Sequence, residues 1–226
     1  MRFTPTWAEC DVPQITATAA EIEAEPMFYN ATHDFIDFDQ PTPLTSKFML
    51  ACIDSGFSPN FNNWSLDTRS TMLMPGWFPA IPGWHHDDVD RDATGQPIYH
   101  DSGWLVPSRR MFTVIVEAEG RPTGSRTEFV NAKVGVTYPP APGRTVYAQW
   151  DHELEEKAAL GALPVSQLES GKLYEFGQSD FHRATPATNF GWRWFARLTI
   201  NPGPRPAGPK IRRQVQVYTP TKEQGW

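Results

Sequence analysis

The alternation of residues 192–200 constrains the fold of this chain more than any other stretch. The apolar positions fall on every second residue: Trp192, Trp194, Ala196, Leu198 and Ile200. Arg193 and Arg197 stand between them. Because successive side chains of a β-strand point to opposite faces, one face of this strand is apolar and the other carries two arginines. The sequence therefore predicts a sheet with helices packed on one face and guanidinium groups on the other.

The two arginines need anionic partners if their face lies inside a sandwich or barrel, because a buried unpaired charge is costly. Protein carboxylates are one source, with Glu117, Glu128 and Glu175 as candidates on other predicted strands. A carboxylate ligand held by the fork of a guanidinium is the other source. The spacing of the residues leaves both interpretations open.

The composition predicts a mainly β fold. The 226 residues include 22 prolines and 16 glycines, which favours many short elements joined by turns. A chain of this length is ordinary for one β-sandwich or barrel, so a single domain over 1–226 is expected. Residues 1–68 would support the sheet, 69–200 would form its core, and 201–226 would be a linker and an edge strand. The further predicted strands are Arg69–Met74, Met111–Glu117, Thr127–Asn131, Lys133–Tyr138, Thr145–Trp150, Lys172–Phe176 and Lys210–Tyr218.

Two helices are predicted. Pro43–Asp54 has Thr42 as its cap and Gly56 after its end, with an apolar stripe made by Leu44, Phe48, Met49, Cys52 and Ile53. Asp151–Leu160 has Asp151 as its cap and Gly161 after its end. Residues 89–107 show no helical period and are predicted to form a long loop beside a functional site.

Charge and cysteine content exclude several classes of function. The net charge of −6 provides no overall basic field, so nucleic acid is a disfavoured partner. Two cysteines are too few for a disulfide framework or a cysteine zinc site. This low cysteine content fits a protein of a reducing compartment. No stretch resembles a signal peptide or a membrane-spanning segment. We expect a cytoplasmic protein without a membrane partner, and nothing in the sequence specifies its oligomeric state.

The segment from Gly83 to Asp88, Gly-Trp-His-His-Asp-Asp, is the candidate metal-binding motif. In an extended segment His85 and Asp87 project to the same side, and so do His86 and Asp88. A third ligand must come from elsewhere, and His182 is the best candidate. Two histidines and one carboxylate on one face of an ion suit non-haem Fe(II) oxygenases. The pair alone is weak evidence, and both registers remain possible.

Several ordered segments resemble the Fe(II)/2-oxoglutarate-dependent dioxygenases, most closely the phytanoyl-CoA dioxygenase and prolyl hydroxylase branches. The segments are Trp84-His85-His86-Asp87, Thr127-Glu128-Phe129, Gly171-Lys172-Leu173-Tyr174-Glu175-Phe176, Phe181-His182-Arg183-Ala184-Thr185-Pro186 and Arg193. The resemblance covers roughly residues 71–200. It implies a double-stranded β-helix, or jelly roll, with a few helices packed on one face, which agrees with the strands read from the residues.

The resemblance also implies a ligand set and a cosubstrate. His85, Asp87 and His182 would bind Fe(II), and the tryptophan before the pair favours this register over His86 and Asp88. Arg193 would pair with the distal carboxylate of 2-oxoglutarate. Thr113 is a second expected contact to the cosubstrate. Arg197 would assist or would balance a carboxylate.

The implied reaction uses O₂ to hydroxylate a C–H bond of a small-molecule or peptide substrate, with release of succinate and CO₂ and with ascorbate as a reductant. Desaturation or ring formation would use the same ligands. A cupin-like metal-binding jelly roll, an isomerase or ligand-binding protein without 2-oxoglutarate, is the main alternative, and a structural protein with a coincidental motif is the other. The candidate substrate contacts are Trp84, His86, Arg110, Glu128 and Tyr174.

Overall fold

The computed structural model describes residues 1–32, 42–60, 63–93, 96–99, 109–203, 211, 212 and 217. Its helices are α1 (Ala19–Ala24), α2 (Pro43–Asp54) and α3 (Val146–Ala159). Its strands are β1 (Arg2–Phe3), β2 (Ala8–Glu9), β3 (Met27–Phe28), β4 (Trp64–Leu73), β5 (Arg110–Glu117), β6 (Thr127–Val130), β7 (Val134–Gly135), β8 (Val165–Gln167), β9 (Leu173–Gly177), β10 (His182–Ala184), β11 (Gly191–Ile200) and β12 (Ile211–Arg212). No helix among the described residues has the length and apolar character needed to cross a membrane. Residues 100–107 of the predicted loop and most of the predicted strand Lys210–Tyr218 lie outside the described residues.

Two antiparallel sheets build the molecule, which confirms the prediction of a mainly β fold. The larger sheet has the strand order β2-β9-β5-β11-β4 and the smaller one has the order β10-β6-β8. Phe129 of β6 packs with Met111 and Ile115 of β5 and with Phe176 of β9. The two sheets therefore face each other across an apolar layer. The two-stranded pairs β1-β7 and β12-β3 complete the described pairings.

Strand β11 is central to the larger sheet, and its two faces differ as the alternation predicts. It pairs with β4 from Gly191 to Ile200 and with β5 from Arg193 to Ile200. Trp194, Ala196 and Leu198 are buried in one apolar cluster with residues of α1 and α2. Arg193 and Arg197 lie on the opposite face, which is turned toward the smaller sheet and lines a cavity. The helices thus cover one face of the sheet and leave the other for polar groups.

Helix α2 has the predicted bounds but a different cap. Thr42 makes no capping hydrogen bond with its side chain. The buried carboxylate of Glu25 accepts hydrogen bonds from the backbone N–H of Leu44 and Thr45, at 3.2 and 2.8 Å, and also from both threonine hydroxyls. A distant carboxylate therefore satisfies the free N–H groups of the first turn. Ile53, predicted in the apolar stripe, is 39% exposed.

Removal of this cap gives the first testable prediction. Glu25→Ala is expected to lower the free energy of unfolding by roughly 2–4 kcal/mol, because it leaves buried N–H and O–H donors without a partner. Urea denaturation monitored by circular dichroism measures the change. Glu23→Ala, at an exposed position of α1, is the matched control and should stay within about 0.5 kcal/mol of the wild type. Equal losses in the two variants would contradict the capping role.

The prediction of a strand at Thr145–Trp150 is wrong, because these residues form the start of α3. Thr145 is the N-cap, and its hydroxyl accepts a hydrogen bond from the N–H of Ala148. The β-branched and aromatic residues suggested a strand, but Val146, Tyr147, Trp150 and Leu154 are buried at helical spacing. Asp151, predicted as the helix cap, lies inside the helix, and its carboxylate accepts a hydrogen bond from the N–H of Trp84. Helix α3 is thereby joined to the segment that carries the His-x-Asp motif.

Other element boundaries differ from the predictions. Strand β4 begins at Trp64 rather than Arg69, and β7 is limited to Val134–Gly135. Helix α1 was not predicted, although Thr18 and Glu21 form a capping box, a pattern that is visible in the sequence as Thr-x-x-Glu. The earlier start of β4 matters for the site, because it places Asp67 on the same sheet as the two arginines.

Candidate metal centre

Three side chains from distant parts of the chain converge between the two sheets. His85 forms an isolated antiparallel bridge with His182, the first residue of β10, and the two residues exchange backbone hydrogen bonds of 3.0 and 3.1 Å. Asp87 follows two residues after His85. One ligand atom from each of His85, Asp87 and His182 lies within 4.8 Å of the others. Backbone pairing therefore fixes the separation of two side chains that are far apart in sequence.

The hydrogen bonds of the two imidazoles fix their tautomers. Nδ1 of His85 lies 2.7 Å from the carbonyl oxygen of Gly83, and Nδ1 of His182 lies 3.0 Å from that of Asp180. Since a carbonyl oxygen only accepts, each Nδ1 carries a hydrogen, which leaves Nε2 as the atom of each ring that can bind a metal. Backbone carbonyls orient metal-binding imidazoles in this way in many proteins.

The Nε2 atoms of His85 and His182 lie close to the carboxylate of Asp87. Nε2 of His182 lies 3.2 Å from one oxygen of Asp87, and Nε2 of His85 lies 4.0 Å from the other. Groups that only accept hydrogen bonds repel each other unless a proton or a cation lies among them. Two imidazole nitrogens and one carboxylate form a donor set that fits a divalent transition metal.

The charge states of the ligands suit a cation. Burial, and next the neighbouring His182, lower the pKa of His85 to about 4, so this ring is neutral near pH 7. Burial raises the pKa of Asp87, but Arg197 and then His182 outweigh it and hold that pKa well below its usual range. Metal ligands must be deprotonated, and these two groups are already so at neutral pH.

Arg197 lies beside the carboxylate of Asp87. Its guanidinium forms an ion pair with Asp87 and another with Asp67 at 3.0 Å. The register explains the second pair, because Arg197 stands directly opposite Asp67 of β4. Burial lowers the pKa of Arg197, but the two carboxylates outweigh burial and raise it. Arg197 therefore has protein carboxylates as its partners, one of the alternatives that the sequence left open.

Arg193 has a different environment on the same face. Its side chain is 4% exposed, and its Nε has no hydrogen-bond partner. Glu117 is directly opposite in the register, but its carboxylate already accepts hydrogen bonds from Thr123, Gly124 and Arg126. Burial lowers the pKa of Arg193 to about 9. The charge of Glu117 offsets this burial only in part, and Arg193 forms no salt bridge within the described part of the chain, which leaves it available for an anionic ligand.

Some solved structures resemble this chain at low sequence identity. No protein-family model matches it, and no curated protein does. Among solved structures it is similar to iron-bound HygX from Streptomyces hygroscopicus, at 16% identity over 62% of this chain and 57% of HygX, with a TM-score of 0.26. It is also similar to an N-substituted L-amino acid dioxygenase from Burkholderia ambifaria AMMD, at 17% identity over 81% of this chain and 72% of that protein, with a TM-score of 0.33.

These similarities are too low to transfer an activity. The chain spans little more than half the length of HygX.

The three converging residues and both arginines line one cavity of about 190 Å³. Thr113 also lines it, but its hydroxyl donates a hydrogen bond of 3.0 Å to the carbonyl oxygen of Ala196. Apolar groups form much of the wall: Pro79, Ala80, Ile81, Phe129, Phe176, Ala184 and Phe195. Asp67, Arg69 and Tyr29 line the cavity as well and were not singled out from the sequence. The alternation of β4 could have indicated Asp67 and Arg69 had the strand been extended to Trp64.

The five candidate substrate contacts lie elsewhere. Among the described residues that line the cavity, none of the five is found. Arg110 pairs with Glu175 and lies over Phe112, on the helix-covered face. Tyr174 packs against Trp7, and its hydroxyl lies 3.2 Å from the N–H of Glu169.

Trp84 and Glu128 are joined through Arg183. The Arg183 guanidinium lies over the Trp84 ring at 4.4 Å and pairs with Glu128 at 2.7 Å. The indole N–H of Trp84 donates to Glu155. These contacts hold β10 and the motif segment against each other.

The doubled His-His-Asp-Asp sequence separates into two environments. His85 and Asp87 face the cavity, whereas the His86 ring is 3% exposed and points into an aromatic cluster. Asp88 has a left-handed backbone, with φ +54°, and its carboxylate accepts a hydrogen bond from the N–H of Gly203. The register with His85 and Asp87 is the one that brings side chains to His182.

The depressed pKa of His85 predicts a pH dependence of stability in the metal-free protein. Because the folded pKa of about 4 lies below the unfolded value near 6.5, the unfolded chain binds more protons between these limits. The free energy of unfolding is therefore expected to fall as the pH drops from 6.5 to 4, by about 3 kcal/mol from His85 alone. Urea denaturation in EDTA at several pH values measures the slope. His85→Gln should show a shallower slope, and an unchanged slope would contradict the assignment.

Proposed function

We propose that this chain is a non-haem Fe(II)- and 2-oxoglutarate-dependent oxygenase. It would hydroxylate a C–H bond of a small-molecule or peptide substrate and release succinate and CO₂. The observation that carries the proposal is the combination, in one cavity, of the His85–Asp87–His182 donor set with the buried, uncompensated guanidinium of Arg193. The proposal includes a jelly-roll fold, in which the larger and smaller sheets are the two halves.

The donor set favours iron among the common metals. His85 and His182 would supply Nε2, and Asp87 would supply one carboxylate oxygen. Two histidines and one carboxylate on one face of an octahedral ion leave positions for a bidentate cosubstrate and for O₂. When bound, Fe(II) with 2-oxoglutarate and O₂ would supply the oxidising power for hydroxylation, with ascorbate as a reductant for the ion.

Arg193 would hold the cosubstrate. Its guanidinium presents paired N–H donors that match a carboxylate, and the surrounding burial strengthens such a pair. The distal carboxylate of 2-oxoglutarate would supply the missing negative charge. Thr113 would contact the same carboxylate if its hydroxyl rotates away from Ala196. The low exposure of Arg193 also keeps water from competing for the pair.

Arg197 would act on the protein side of the centre. Its guanidinium pairs with the Asp87 oxygen that lies 3.2 Å from Nε2 of His182, and is itself held by Asp67. This arrangement leaves one oxygen of Asp87 for the ion and restrains rotation of the carboxylate. The apolar side chains of Phe129, Phe176 and Phe195 would exclude water from the space beside the donor set. The reacting C–H bond of the substrate would lie in this space.

A cupin-like metal protein without 2-oxoglutarate is the alternative function. In such a protein Arg193 would be neutralised by a protein carboxylate. The described candidate is Glu117, which lies close enough to raise the pKa of Arg193. Its carboxylate, however, already accepts hydrogen bonds from Thr123, Gly124 and Arg126. This favours a ligand carboxylate over a protein one.

Anaerobic spectroscopy tests the proposal. Addition of Fe(II) and then 2-oxoglutarate to the protein is expected to produce a visible metal-to-ligand charge-transfer band. Glutarate, which is 2-oxoglutarate without the keto group, should produce none. Admission of O₂ should then convert 2-oxoglutarate to succinate and CO₂, slowly without substrate. A protein that binds Fe(II) but gives neither the band nor succinate would contradict the proposal and favour the cupin-like alternative.

A further inference from the structure

His86 forms a closed ring of hydrogen bonds with two tyrosines. Its Nδ1 lies 2.8 Å from the hydroxyl of Tyr99, which lies 3.0 Å from the hydroxyl of Tyr147. The hydroxyl of Tyr147 in turn donates to the backbone carbonyl of His86 at 3.2 Å. All three side chains are buried. The ring therefore begins and ends on the residue that stands between His85 and Asp87.

The hydrogens of this ring have one possible arrangement. The carbonyl of His86 can only accept, so the Tyr147 hydroxyl must donate to it. Tyr147 then has no hydrogen left for Tyr99, so Tyr99 donates to Tyr147. Nδ1–H of His86 consequently donates to Tyr99, which leaves Nε2 of His86 as a lone pair. That atom is buried without a hydrogen-bond partner, as this assignment allows, since an unpaired acceptor is tolerated more readily than an unpaired N–H.

The ring of His86 also packs against the segment that carries His182. Its centroid lies 4.0 Å from that of Phe181, the residue before His182, and 4.8 Å from that of Phe3. Trp150 of α3 closes the same cluster. One imidazole thus contacts both ligand-bearing segments and is locked in rotation by Tyr99.

The backbone carbonyl groups of His86 and Asp88, the residues before and after Asp87, are held by side chains. Tyr147 holds the carbonyl of His86, and the buried guanidinium of Arg109 donates to the carbonyl of Asp88. Arg109 is itself fixed by Asp90 at 2.7 Å and by the carbonyl of Asn201 at 3.1 Å. The 86–87 and 88–89 peptide units are therefore both anchored by side chains, which restrains the backbone around Asp87 and the direction of its carboxylate.

We propose that His86, Tyr99 and Tyr147 are positioning residues that hold Asp87 and His85 in the metal-binding geometry through this closed ring. The inference rests on the metal site of the proposed function, but it does not depend on 2-oxoglutarate. The second histidine of the motif is accordingly neither a ligand nor a substrate contact. It keeps the ligand segment in one backbone conformation before the ion arrives, which lowers the cost of binding.

The test measures Mn(II) binding, by the loss of the free-ion electron paramagnetic resonance signal, in four single variants. Tyr99→Phe, Tyr147→Phe and His86→Phe each keep the aromatic packing and break the ring, and each is expected to weaken Mn(II) binding about 10-fold. Tyr138→Phe is the matched control, because its ring packs against Tyr99 at 5.8 Å while its hydroxyl is not part of the ring. Its Mn(II) affinity should equal that of the wild type.

His86→Phe separates positioning from a merely structural role. It removes the buried hydrogen bond from Nδ1–H to Tyr99 and also the buried unpaired Nε2, and these two changes act in opposite directions on stability. Its unfolding midpoint without metal should therefore change little, while its Mn(II) affinity should fall. Wild-type affinity in all three ring variants, or an equal loss in Tyr138→Phe, would overturn the inference. Failure of the wild type to bind Mn(II) would overturn both this inference and the proposed function. Mn(II) binding with the expected variant pattern, but no charge-transfer band with Fe(II) and 2-oxoglutarate, would leave the ring established and overturn the proposed function alone.

Discussion

Arg193→Met is expected to weaken 2-oxoglutarate binding by roughly 100-fold, since removal of one partner of a buried charge pair costs about 2–5 kcal/mol. The same change should raise the free energy of unfolding of the ligand-free protein by roughly 1–2 kcal/mol, because a buried uncompensated charge is replaced by an apolar side chain of similar length. Titration of the anaerobic Fe(II) protein with 2-oxoglutarate measures the first effect, and urea denaturation measures the second.

The opposite signs of these two effects make the test specific. If Arg193 only supported the fold, its substitution would lower the stability of the protein. Arg121→Gln, at an exposed position, is the control and should change neither quantity. Arg193→Lys should recover part of the affinity, because it keeps the charge but not the paired donors. A loss of stability in Arg193→Met with unchanged 2-oxoglutarate affinity would refute the role given to this residue.

Asp87→Ala is expected to abolish metal binding, with a loss of affinity on the order of 100-fold or more, since changes outside the ligand set already cost about 10–100-fold. The fold should survive, because Arg197 keeps its ion pair with Asp67. Equilibrium dialysis against Fe(II) under anaerobic conditions measures the affinity, and circular dichroism reports the fold.

Two comparison variants sharpen this prediction. Asp11→Ala removes an exposed carboxylate of the same type and should bind Fe(II) as the wild type does. Asp87→Glu keeps the charge but moves the carboxylate by one methylene, so we expect an affinity between those of the wild type and Asp87→Ala. Full retention of Fe(II) by Asp87→Ala would show that the ion is held elsewhere.

The parts of the molecule that could be predicted are those with a local period. The two faces of β11 follow from its alternation, and the bounds of α2 follow from Pro43 and Gly56. The convergence of His85, Asp87 and His182 was reached through the ordered resemblance to a family, because no local pattern connects residues 85 and 182.

What could not be predicted depends on register and on distant packing. Arg193 and Arg197 look equivalent in sequence, yet one stands opposite Asp67 and the other opposite a glutamate that is already bonded. In the ring around His86, Tyr99 of a loop is 13 residues from His86, and Tyr147 is 48 residues further on. Tyr147 lies in a helix where the sequence pattern predicts a strand. The β-branched Val146 and the aromatic Tyr147 pack as well on a buried helix as in a sheet, so their residue types do not distinguish the two structures.

A crystal of the protein grown with Mn(II) and 2-oxoglutarate tests the central claim most directly. Anomalous diffraction should show one ion about 2 Å from Nε2 of His85, Nε2 of His182 and an oxygen of Asp87. The 2-oxoglutarate should bind the ion through its keto acid and reach Arg193 with its distal carboxylate. An ion held by other residues, or a 2-oxoglutarate molecule away from Arg193, would contradict the account.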